Sequence, residues 1–216
     1  PARDGSWKLR LIARDAAGNE ASLLCPGDVL IDAQPPRAVV VGPRTSNSGS
    51  VEIEYDVQDA GTSGPGSVQL WTRAAGQAEW RPGPSVDVST GKRPPLRVVL
   101  ADGAHGLFLS ATDRAGNASA IPSASAEPQA SLRIDSQAPT VALLSPEPGA
   151  AFGAGAVARV RWKAEDQALE GACISIEVST DRGRTWAMIA SAETNDGAFD
   201  WAVPSSDGDG YLVRIR

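Results

Sequence analysis

The chain repeats itself at a spacing that few architectures can use. DGSWKLRLIARDAAGN (4–19) returns as DGAHGLFLSATDRAGN (102–117), with matches at Asp4/Asp102, Gly5/Gly103, Leu9/Leu107, Leu11/Leu109, Ala13/Ala111, Asp15/Asp113, Gly18/Gly116 and Asn19/Asn117. IDAQPP (31–36) returns as IDSQAP (134–139). The first pair is offset by 98 residues and the second by 103, so a loop of variable length lies between them. Further along, VEIEYDVQD (51–59) aligns with ARVRWKAED (158–166), SVQLWT (67–72) with CISIEV (173–178), and Trp80 with Trp186. A repeat of 103 to 107 residues is too long for a helical solenoid unit and suits a sandwich of two β-sheets.

Side-chain periodicity points the same way. Val51, Ile53, Tyr55 and Val57 fall at every second position, as do Val68, Leu70 and Thr72, then Leu96, Val98 and Leu100, then Leu107, Leu109 and Ala111. Period two with one apolar face marks a half-buried strand, and no window sustains a 3.6-residue period. The 22 glycines and 16 prolines break helices and supply turns. Between 34 and 136 we expect seven strands, at 38–41, 51–57, 67–72, 79–81, 96–100, 106–112 and 131–134. The fold class expected is all-β, a tandem array of sandwich modules. Residues 1–33 would hold the last two strands of a first module, 34–136 a complete second, and 137–216 a third lacking its last strand. So divided, the sequence reads as cut from a longer array, with Pro stiffening the joints.

Other features narrow the function. A net charge of −6 repels phosphate backbones, which argues against nucleic acid. No apolar run approaches the roughly 18 residues of a membrane span. Cys25 and Cys173 fall in different modules and read as unpaired thiols, with Cys173 buried in a strand. The only histidine, His105, sits at a strand start, and no nucleophile, metal-hydrolase or phosphate-loop motif appears, so no enzyme is expected. Asn117-Ala-Ser119 fits a glycosylation acceptor, and SSDGDGY (205–211) reads as a Gly-rich turn. Trp71 is out of phase with Val68 and Leu70, so it is the candidate exposed binding residue, for a glycan or a protein. Trp80, Trp162, Trp186 and Trp201 are expected in the core or packed against hairpins.

The phrase D-x-A-G-N follows a strand at Asp15–Asn19 and again at Asp113–Asn117. Its Asp can accept turn N–H groups, while Gly-Asn tolerates positive φ. Together with the ID-x-Q-x-P joint, it resembles the tandem bacterial Ig-like (immunoglobulin/fibronectin III-like) modules of surface adhesins. That resemblance implies an extracellular, cell-surface or periplasmic location, and partners among other modules of the same chain. It also implies calcium at the module junctions as the one candidate cofactor. Candidate ligands are Asp15, Asn19 and Asp32 at one joint, and Asp113, Asn117 and Asp135 at the other.

STDRGRTW (179–186) resembles the Asp-box of sialidases, whose propellers repeat the box at blade spacing. Here it occurs once, and its counterpart TRAAGQAEW keeps the Trp but loses Ser and Asp. It is therefore expected to form a hairpin turn built on Ser179, Asp181, Gly183 and Trp186, between strands at 174–178 and 186–189. The function expected from all this is a structural and adhesive spacer, with an accessory region of a secreted hydrolase as the alternative.

Overall fold

The computed structural model describes residues 4–167, 169, 171–205 and 210–216, so most of the SSDGDGY turn lies outside the described residues. The chain divides into two compact units, Pro1–Ser136 and Gln137–Arg216. Every regular element among the described residues is a strand.

Unit 1 begins with four short strands, β1 (Gly5–Trp7), β2 (Arg10–Arg14), β3 (Glu20–Leu24) and β4 (Val29–Ile31). β1 pairs with β4 and β2 with β3, both antiparallel, so the two expected strands are each broken in two. A sandwich follows. One sheet holds β5 (Arg37–Gly42), β7 (Ser50–Gln58) and β10 (Leu96–Val99), with β7 central. The other runs in the order β6 (Thr45–Ser46), β12 (Ala130–Ile134), β11 (Gly103–Asp113), β8 (Pro65–Ala74) and β9 (Arg81–Asp87). Apart from the two-residue β6, three strands face four, the arrangement of the immunoglobulin/fibronectin III-like class. Alternation supplies the core: Val51, Ile53 and Val57 meet Val68, Leu70, Leu107, Leu109, Leu132 and Ile134 between the sheets.

The strand expected at 79–81 lies instead at Arg81–Asp87, and carries Pro82 and Pro84. β9 is an edge strand, where missing N–H donors are tolerated. Trp80 precedes it, buried, with its ring edge on Phe108 at 5.9 Å and the Arg73 guanidinium 4.5 Å above it.

Unit 2 repeats this order. β13 (Thr140–Ser145), β14 (Val157–Glu165) and β17 (Ala198–Ala202) form one sheet with β14 central. β16 (Ala187–Thr194), β15 (Ala172–Ser179) and β18 (Leu212–Ile215) form the other, with β15 central. Even an irregularity recurs: the β5–β7 register slips between Val40 and Gly42, and the β13–β14 register between Leu143 and Ser145, 103 positions on. Val160, Trp162, Ile174, Ile176 and Trp201 build a separate core. Both cysteines are half-buried free thiols, so Cys173 is less enclosed than expected.

Candidate functional site

Each D-x-A-G-N phrase folds as a self-contained turn. Asp15 Oδ1 accepts the Ala17 and Asn19 N–H groups at 2.9 and 2.8 Å, and Oδ2 accepts Asn19 Nδ2 at 2.7 Å. Asp113 takes Asn117 N at 2.8 Å and Asn117 Nδ2 at 2.7 Å in the same way. Gly18 and Gly116 adopt φ of 93° and 94°, a region costly for a side chain. In both copies these donors hold the carboxylate below its usual range. For Asp15 the Asn19 side chain contributes most. For Asp113, burial pushes the pKa up and Asp32 adds to this, but the Asn117 side chain, Asn117 N–H and Ala115 N–H outweigh both.

The two turns differ in what lies against them. Asn117 Nδ2 also donates to the Asp32 carbonyl at 3.0 Å, which ties the turn at the end of β11 to the linker after β4. The Asp32 carboxylate is held as well, by Gln34 N at 3.0 Å and by Ser63 N at 2.8 Å. Its pKa falls below the usual range, the Ser63 hydroxyl contributing most and the Gln34 and Ser63 N–H groups adding to it. The loop after β7 completes the joint. Thr62 Oγ1 donates to the Ile31 carbonyl at 3.2 Å, Gly61 N to Asp59 Oδ1 at 2.9 Å, and Arg114 to the Ser63 and Gly64 carbonyls. A Cβ on Gly61 would fall inside the Asp32 carboxylate. Asp32, Asp59 and Asp113 thus bring carboxylate oxygens within 4.8 Å of one another.

This grouping corrects the expected ligand sets. Gly103 is paired with Ile134 at one end of β11, while Asp113 faces Pro65 at the other end. Eleven residues of strand span about 30 Å, so Asp135 lies far from Asp113 and Asn117. Asp15 and Asn19 are separated from Asp32 in the same way, because Gly5 pairs with Ile31 and β2 runs onward from β1. The structure joins Asp32 to the turn of the module that follows it, and adds Asp59, which sequence matching places only as a turn residue aligned with Asp166. The near ends of these strands are pinned by other acids. Asp4 accepts Ala33 N and Gln34 Nε2, and Asp102 accepts Ser136 N and Oγ.

The STDRGRTW stretch forms the turn between β15 and β16. Asp181 Oδ1 accepts Thr185 N at 2.8 Å and the Ser179 hydroxyl at 2.8 Å, and Oδ2 accepts Thr185 Oγ1 at 2.7 Å. These donors, Thr185 N–H first, bring its pKa down to about 2. Ser179 Oγ accepts Gly183 N at 2.7 Å, and Gly183 takes φ of 86°. Trp186 packs beneath, its ring 4.1 Å from the Arg214 guanidinium, which in turn pairs with Glu177.

Trp71 is on the outer face as expected, but half-buried, its indole Nε1 donating to Ser110 Oγ at 2.9 Å. His105 is buried with Nε2 2.8 Å from the Ala101 carbonyl.

No protein-family model matches the sequence, and no curated protein matches it. Among solved structures, the chain is similar to fibronectin(III)-like modules of Clostridium thermocellum CbhA. That match has 14% identity and a TM-score of 0.46, covering 77% of this chain and 79% of that one. A tetra-tandem repeat from the extending region of a large adhesion protein is 19% identical with a TM-score of 0.39, covering 98% and 55%. The FN1–FN3 domains of chicken CNTN1 are 15% identical with a TM-score of 0.32, covering 84% and 60%. At these identities the likeness concerns fold alone.

Proposed function

We propose that this chain is a structural spacer of a multi-module protein outside the cell, one that holds successive β-sandwich modules at fixed spacing and presents their surfaces to protein or glycan partners. The observation that carries this reading is the fastened joint. Asp32 belongs to the linker, yet both its carboxylate and its carbonyl are bonded to the module that follows, through Ser63 and Asn117. A linker held at several points transmits orientation, whereas a free polar linker of the same length does not. Spin labels on Ser22→Cys and Lys92→Cys, with both native thiols replaced, test this by pulsed dipolar spectroscopy of the full chain. The expected distance distribution is narrow, and Gly61→Ala, whose methyl group displaces Asp32, broadens it several-fold. A distribution already broad in the parent overturns the reading.

A second reading adds a cation to the same joint, favoured by the three converging carboxylates Asp32, Asp59 and Asp113. Calcium takes six to eight oxygens, so these residues would supply part of the shell and neutralise the mutual repulsion of Asp32 and Asp113. Thermal melts in EDTA and in millimolar Ca²⁺ decide the matter. Stabilisation by calcium that is lost in Asp59→Asn supports it, and coincident curves remove it.

A further inference from the structure

The central strands of the two three-stranded sheets β5–β7–β10 and β13–β14–β17 are built alike and charged oppositely. On β7, Glu52, Glu54 and Asp56 alternate with the core residues Val51, Ile53 and Val57, so three exposed carboxylates stand in one row on the outer face. On β14, Arg159, Arg161 and Lys163 alternate in the same way with Ala158, Val160 and Trp162, and all three are exposed. The alignment of 51–59 with 158–166 places Glu52 on Arg159, Glu54 on Arg161 and Asp56 on Lys163. A fourth position follows suit. Arg97 stands opposite Glu52 on β10 and pairs with it at 2.8 Å, whereas Asp200 stands opposite Arg159 on β17 at 3.8 Å. Every one of these equivalent positions carries inverted charge.

Keeping a cross-strand ion pair within each sheet accounts for the exchange of Glu52–Arg97 for Arg159–Asp200. It does not account for the middle of the rows. Glu54 stands opposite Gly42, and Arg161 between Ser145 and Ala198, and neither makes an ion pair among the described residues. Asp56 accepts Gln58 Nε2 at 2.8 Å, and Lys163 meets Glu165 at 2.6 Å with both side chains well exposed. Each module therefore holds like charges in a row about 7 Å apart. A facing row of the opposite sign relieves that repulsion.

We propose that the outer face of the β5–β7–β10 sheet docks on the outer face of the β13–β14–β17 sheet of a second copy of this chain, the Glu52–Glu54–Asp56 row lying against the Arg159–Arg161–Lys163 row. A second copy is the partner because the two rows match in spacing as well as in sign. Both come from a central strand with the same two-residue period, so three opposite charges meet in either strand direction, with Glu54 on Arg161 at the centre. Exposed aliphatic side chains adjoin the rows, Val41 and Val99 in unit 1 and Leu144 and Val157 in unit 2. A single exposed ion pair adds little, so the contact is selective more than strong, and salt screens it. The two faces differ, so a bound pair either closes reciprocally or leaves a face free for a further copy. The pairing rests on these faces alone and neither needs nor tests the fastened joint at Asp32.

Sedimentation velocity of the full chain tests this over a concentration series, at ionic strengths of about 0.01 M and about 1 M, where the screening length is about 30 and about 3 Å. Association that rises with concentration is expected at low salt, weakened at least about tenfold at high salt. Glu54→Lys/Asp56→Lys makes both faces basic, and Arg161→Glu/Lys163→Glu makes both acidic, so each variant alone should stay monomeric at low salt. Their equimolar mixture should associate again, which also shows that both variants are folded. A parent whose sedimentation coefficient does not change with concentration at low salt overturns the proposal. So does association that persists at high salt or survives both reversals, since apolar surface then drives it. A mixture that stays monomeric overturns it too. A coefficient that responds to salt but not to concentration does the same, because it assigns the pairing to a single chain.

Discussion

One carboxylate closes the β15–β16 turn, and its ionisation sets how far into acid the turn survives. Asp181 has a folded pKa of about 2 against an ordinary value of 3.8. A depressed folded pKa means the unfolded chain binds the proton first, so the contribution is complete above about pH 4 to 5 and is lost as the pH falls toward 2. Asp181→Ala should therefore lower the melting temperature by a few degrees at pH 7 and leave a smaller difference from the parent at pH 2. Melts recorded at both pH values check this, and an equal difference at the two would assign the loss to packing instead of charge. This turn was legible in sequence because its donors, acceptor and glycine all lie between Ser179 and Thr185. Asp59 was not, since its neighbours Asp32 and Asp113 come from distant strand ends, and only the fold brings the three together.

Strands carry a related lesson. β7, β8, β11 and β12 could be placed from alternation alone, because each has one face in the core. β9 could not: an edge strand with Pro82 and Pro84 has neither the pattern nor the donors of a central one. The residues grouped as calcium ligands in sequence are not brought together, for a reason at the same scale: residues grouped by closeness to a motif can stand a strand length apart. Packing of Trp80 against β8 and β11 gives a prediction of its own. Its indole Nε1 is the one buried side-chain donor or acceptor without a partner among the described residues, and a buried unmade hydrogen bond costs about 1–3 kcal/mol. Trp80→Phe keeps an aromatic ring near Phe108 and Arg73 while removing that donor, so it should change stability by less than about 1 kcal/mol. Trp80→Ala should cost about 3–5 kcal/mol. Urea titrations of the two variants distinguish these values, and a large loss in Trp80→Phe would mean that the N–H group is satisfied.

At the scale of the molecule, the two cores share no residue, one gathered around Ile53, Leu70 and Leu107 and the other around Val160, Ile176 and Trp201. Separate cores within one chain violate two-state unfolding. Two transitions are expected in calorimetry. The first belongs to unit 2, whose single sandwich is smaller and leaves Val213 and Ile215 half-covered on β18. Leu70 and Ile176 are both 0% exposed and occupy equivalent positions on β8 and β15, which makes them matched probes. Leu70→Ala and Ile176→Ala should each cost about 2–5 kcal/mol, a shift of about eight degrees or more in a sandwich of this size at about 4–8 °C per kcal/mol. Each substitution should move one transition and leave the other within a degree or two. If instead both variants shift a single shared transition, the units unfold as one body.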